Sequence, residues 1–136
     1  MLAVWKEWNL DNILKTAYEK GIVMSGVSAG AICWFEKGIT DSFAKELNII
    51  NCLGIVDGIA CPHFDEEKER APYVYDVIRR ELIKYCICIE GNCALHIKND
   101  FDYSSVDFGN GRNCFRVTRE NNIVKKKFFE KKIFLI

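Results

Sequence analysis

Ser28 lies in Gly26-Val27-Ser28-Ala29-Gly30, which follows the mainly apolar run Ile22-Val23-Met24-Ser25. In a G-x-S-x-G turn the glycines leave room for a strained strand-to-helix reversal that lifts the serine hydroxyl clear of the sheet edge. The N–H of the following residue, here Ala29, then points toward a developing oxyanion. A serine hydroxyl is a poor nucleophile until a base takes its proton, and histidine is the usual base. The chain has two histidines. His63, in Cys61-Pro62-His63-Phe64, follows a strand end and belongs to a loop, whereas His96 sits inside an alternating strand pattern. His63 is favoured, because catalytic groups concentrate on loops held by rigid elements. A carboxylate should fix the imidazole tautomer. Asp41, in Ile39-Thr40-Asp41-Ser42, and Glu90, before Gly91, both suit that role; each also suits a plain turn position. The chemistry these residues suggest is acyl transfer.

These groups need a scaffold, and the pattern around them is α/β. Leu10, Ile13, Leu14 and Ala17 recur at helical spacing, with Asn9 or Asp11 to cap the start and Gly21 to end it. The apolar stripe of that helix is expected to lie on a sheet. Residues 22–25 read as a short buried strand, and 29–36 as a helix that Gly38 stops. A further strand is expected over 53–61, a solvated charged loop over 65–70 and a helix over 71–84. Strands follow over 85–90, 93–97 and 114–118, separated by Gly91-Asn92, Asn99-Asp100 and Gly109-Asn110-Gly111-Arg112 turns. The tail from Lys125 mixes basic and apolar residues and reads as a last edge strand. With no repeat and no linker, a single domain over 1–136 is expected.

Composition narrows the partners. Lys plus Arg and Asp plus Glu balance at 19 each, so no net field draws nucleic acid or an anionic membrane. No stretch reaches the roughly 18 apolar residues of a membrane span, and the start lacks a leader pattern; a cytoplasmic address is expected. Seven cysteines, several within apolar runs, read as small hydrophobes in a reducing compartment. The Cys86-x-Cys88-x4-Cys93 spacing does not form the paired hooks of a structural zinc site, so neither metal nor cofactor is expected.

Gly26-Val-Ser-Ala-Gly-Ala31, Thr40-Asp-Ser42, Cys61-Pro-His63 and Glu90-Gly-Asn-Cys-Ala-Leu95 occur in the order and approximate spacing of the peptidase E family, the S51-type serine peptidases. The resemblance covers nearly the whole chain. It implies a three-layer, doubly wound, mostly parallel α/β fold related to class I glutamine amidotransferases, with serine in place of their cysteine nucleophile. It also implies Ser28 as nucleophile and His63 as base, Asp41 or Glu90 as the acidic partner, Ala29 as oxyanion donor and a small Asp-containing peptide as substrate. Arg70, Arg79 and Arg80 are candidates to clamp the substrate carboxylate. A general α/β-hydrolase esterase fits less well, since the gap from Ser28 to Asp41 is short and no late histidine follows. Family members carry upstream βα units with a Gly-rich loop that supplies a second oxyanion donor. By that comparison the chain resembles the C-terminal portion of a peptidase E-like domain with its N-terminal units missing. Such a chain would expose the first helix and one side of the 22–25 segment, and would need a homodimer partner or a separately encoded N-terminal half. The competing expectation is a catalytically silent fragment.

Overall fold

The computed structural model describes residues 1–42, 46–99 and 102–132 and is α/β. In chain order it has α1 (Leu2–Glu7), α2 (Leu10–Glu19), α3 (Ala29–Ile32), β1 (Phe35–Thr40), β2 (Asn48–Asn51) and β3 (Val56–Cys61). These are followed by α4 (Arg70–Arg79), β4 (Tyr85–Ile89), β5 (Cys93–Lys98), β6 (Asp102–Asp107), β7 (Cys114–Glu120), β8 (Ile123–Phe128) and β9 (Glu130–Lys132). A six-stranded sheet runs β2-β1-β3-β4-β7-β8, and a second sheet runs β5-β6-β9.

Alternation along the strands divides the core between the two faces of the large sheet. Ile59, Cys61, Cys86, Cys88, Phe115 and Val117 face Val74, Val77 and Ile78 of α4. Ala60 and Ile87 face the other way, where Ile32 of α3 and Leu95, Ile97 and Tyr103 of the small sheet cover them. Phe115 is fully buried and meets Phe64 edge-on at 5.2 Å between ring centroids. Phe115→Ala should therefore cost about 3–5 kcal/mol, read as a lowered urea midpoint with an unchanged slope.

Several expectations need correction. The large sheet is mixed rather than mostly parallel. Only β1, β3 and β4 run parallel, while β2, β7 and β8 join antiparallel. Residues 22–25 form no strand, because no described strand runs beside them; Val23 is 86% exposed. The helix expected over 29–36 ends at Ile32, and Phe35–Thr40 becomes β1 because pairing on both sides outweighs local preference. Gly38 is thus not a helix stop. A Cβ there would lie 2.8 Å from Ile32 Cδ1, so its bareness lets α3 rest on β1. The α2 helix forms as expected, and Gly21 at φ +83° ends it. Its stripe contacts α1 rather than a sheet and buries nothing. The β6 strand carries little apolar signal, because two of its three buried residues, Ser104 and Ser105, are polar. The expected tail strand is β8, an edge strand, with β9 added to the second sheet; residues 133–136 lie outside the described residues.

Candidate active site

The turn at Ser28, an elbow between the 22–25 segment and α3, is built by sterics. A Cβ on Gly26 would lie 2.0 Å from the carbonyl oxygen of Gly30, so only glycine lets the chain double back there. Gly30 differs, since a Cβ there would meet nothing within 4 Å. Between them Ser28 takes φ 54°, ψ −120°, a conformation costly for any residue with a side chain, at the head of α3. As the first residue of that helix, Ala29 has an N–H with no intrahelical acceptor. Trp34 steadies the approach by donating its indole N–H to the Ser25 carbonyl at 3.3 Å.

The segment after β3 carries His63. Pro62 is buried, and His63 turns at φ 52° with its carbonyl accepting the N–H groups of Glu66 and Glu67 at 3.1 and 3.2 Å. Phe64 then drops into the core, and its N–H donates to Ile89 at the end of β4. This tight turn brings the Glu66 carboxylate to 2.7 Å from His63 Nδ1. The carboxylate occupies space that Gly91 leaves open, since a Cβ on Gly91 would lie 2.3 Å from Glu66 Oε1. Asp65 fastens the arrangement, accepting the Gly91 N–H at 2.7 Å and pairing with Arg112 at 2.7 Å.

Ser28, His63, Glu66 and Glu90 line one cleft of about 1170 Å³, whose walls come from the 21–28 segment, the ends of β3 and β4, and β5. Among the described residues no hydrogen bond joins Ser28 Oγ to His63, whose ring is held by Glu66. Of the two expected acids, Glu90 lies in the cleft but is engaged elsewhere, its Oε2 accepting the Asn113 N–H at 2.8 Å. Asp41 follows β1, is exposed and is not among the described residues lining the cleft. His96 is in β5, its Nδ1 3.5 Å from Ser104 Oγ. None of the three arginines reaches the cleft. Arg70 is buried, bonding Glu67 at 2.6 Å and the Ile39 carbonyl at 3.2 Å, and thereby ties α4 to β1. Arg80 pairs with Asp76, and Arg79 is also absent from the lining; among the described residues the lysine or arginine that lines the cleft is Lys98.

Glu66 was concealed within a charged run that reads as solvated loop. The signal available was its position three residues beyond His63, close enough to meet the ring once the chain turns.

A family model described as Peptidase family S51 matches residues 1–102, which contain the elbow, His63, Glu66 and Glu90. The chain belongs to peptidase family S51. A relative in Bacillus subtilis (strain 168), "Uncharacterized peptidase YgaJ", is 42% identical over 117 residues, covering 86% of this chain and 50% of that protein. The chain thus spans about half the length of that curated relative. The S51 match ends before β7, so Cys114 and Asn113, which brace the cleft wall from behind, lie beyond it.

Proposed function

We propose that this S51 chain carries the centre of a serine-type peptidase that hydrolyses short, Asp-containing peptides through an acyl-enzyme on Ser28. The observation that carries the reading is the strained Ser28 backbone at the head of α3, in one cleft with a histidine whose Nδ1 is already held by a carboxylate. With Nδ1–H donated to Glu66, the neutral ring leaves Nε2 free to accept the Ser28 proton. Oγ attacks the peptide carbonyl, the oxyanion accepts the Ala29 N–H, and the imidazolium returns its proton to the departing amine. Water activated by the same nitrogen then releases the acyl group. Lys98 supplies the positive charge for a substrate carboxylate. In this reading the site belongs to a three-layer, doubly wound peptidase E-like domain, of which residues 1–136 form the C-terminal portion, working in the cytoplasm. The test is fluorophosphonate labelling, which should fall on Ser28; a folded protein that takes no label there would sink the reading.

Glu66 is the orienting carboxylate preferred here, ahead of Glu90 and Asp41. Glu66→Gln should lower kcat about 10- to 100-fold, less than for a buried partner because this carboxylate faces solvent. KM should hardly move, and the acid limb of the kcat profile should shift. If Glu90→Gln or Asp41→Asn produces that signature and Glu66→Gln does not, the assignment passes to that residue.

A second reading, a catalytically silent half of a split peptidase whose partner covers the elbow segment, is supported by the exposure of Ile22, Val23 and Val27 (57, 86 and 84%). A homodimer built on the same surface is its nearest variant. Adding a separately expressed N-terminal half and finding that Ser28 labels only then would favour the split form.

A further inference from the structure

Six of the seven cysteines are buried, but Cys93 is half-exposed and lines the cleft. Asn92, at φ 56°, turns the chain so that β5 folds back across the end of β4, whose last residue, Ile89, is paired with Cys114 of β7. That geometry brings Cys93 Sγ to 3.4 Å from Cys114 Sγ, at the junction of the two sheets. The pair is framed on both sides. Cys93 Sγ–H donates to the Glu90 carbonyl at 3.1 Å, and the Cys114 N–H donates to Ser105 Oγ at 2.9 Å. No disulfide is present.

We propose that Cys93 and Cys114 form a redox-active dithiol, which hydrogen peroxide converts to a disulfide that joins β5 to β7 beside the catalytic cleft. Cys93 is the sulfur that meets the oxidant, because Cys114 is fully buried. The hydrogen bond from Cys114 lowers the Cys93 thiol from its ordinary range despite desolvation, whereas burial pushes Cys33 and Cys52 up to about 11 and Cys61 up to about 12. The thiolate rather than the thiol attacks peroxide. Cys93 sulfur displaces hydroxide from the O–O bond and becomes a sulfenic acid. Cys114 sulfur then attacks Cys93 sulfur, the S–O bond breaks, and the departing hydroxide takes the Cys114 proton as water. Two thiols lose two electrons, one peroxide gains them, and two waters form. The sulfurs close from 3.4 Å to about 2.05 Å, and Cys93 releases the Glu90 carbonyl that it now holds.

The chain is treated with a small molar excess of hydrogen peroxide, and its thiols, intact mass and non-reduced peptide map are followed. Loss of two of seven thiols is expected, with one linked peptide joining Cys93 to Cys114 and full reversal by dithiothreitol. Cys93→Ser should abolish the link while keeping the fold. Cys114→Ser should leave a Cys93 sulfenic acid that dimedone captures. A bond mapped to another pair, or Cys93 passing to sulfinic acid in the wild-type chain without linkage, overturns the proposal. Because every readout is chemical, the result is independent of whether Ser28 is active.

Discussion

Ser28→Ala is expected to remove all fluorophosphonate uptake, and His63→Ala to slow hydrolysis of a dipeptide with an N-terminal Asp by about 10⁴- to 10⁶-fold. In the proposed mechanism the two residues act as one device, so a chain carrying both changes should be no slower than the worse single variant. Additive losses measured by single-turnover kinetics would show that the two do not share a proton. Stability should move the opposite way from activity. At φ 54°, ψ −120° a side chain is held under strain, so Ser28→Gly should melt higher than the wild-type chain while being inert. A Ser28→Gly protein that melts lower would show that the turn carries no stored strain.

The second large effect belongs to Gly26→Ala. Its new methyl would fall 2.0 Å from a backbone oxygen of Gly30, which cannot rotate away as a side-chain end could. Relief requires the elbow to open, and overpacking of this kind costs about 1–3 kcal/mol. Most of that loss should appear at the site. Ser28 labelling should drop by more than about 10-fold, while α4 and the large sheet persist by circular dichroism. Gly30→Ala is the control, since open space surrounds that position and labelling should be nearly unchanged. Equal losses in both variants would mean that the elbow is limited by helix backbone preference rather than by close approach.

What could be read from the residues was local. The turn at Ser28, the helix over α2 and the strands β4, β5 and β7 each carry their own apolar period or turn residues, and each appears close to where it was expected. The failures share one cause. Phe35–Thr40 is a strand because β2 and β3 flank it, and residues 22–25 are not a strand because nothing described flanks them. Pairing is a property of neighbours, and a linear pattern does not contain it. The site divides the same way. Ser28 and His63 are marked by their immediate context, while the contact of Glu66 with the ring depends on a turn at His63 and on the empty space over Gly91. Neither is visible as a spacing of carboxylates.

The order in which the strands enter the two sheets bears on how the molecule comes into being. After β4 the chain leaves the large sheet for β5 and β6, returns for β7 and β8, and leaves again for β9. Each sheet therefore waits on residues made after part of the other. The small sheet closes only when Glu130–Lys132 lies along β6, and the large one only after β7 has passed beneath the small one. Partners so far apart along the chain close costly loops before any contact rewards them, which slows folding. A ribosome that has emitted Cys93 but not Cys114 holds a chain whose cleft lacks the rest of β5 and the backing of β7. Formation of the site is thus a late event of synthesis, and the unfinished sheet edge is the species that a chaperone would meet.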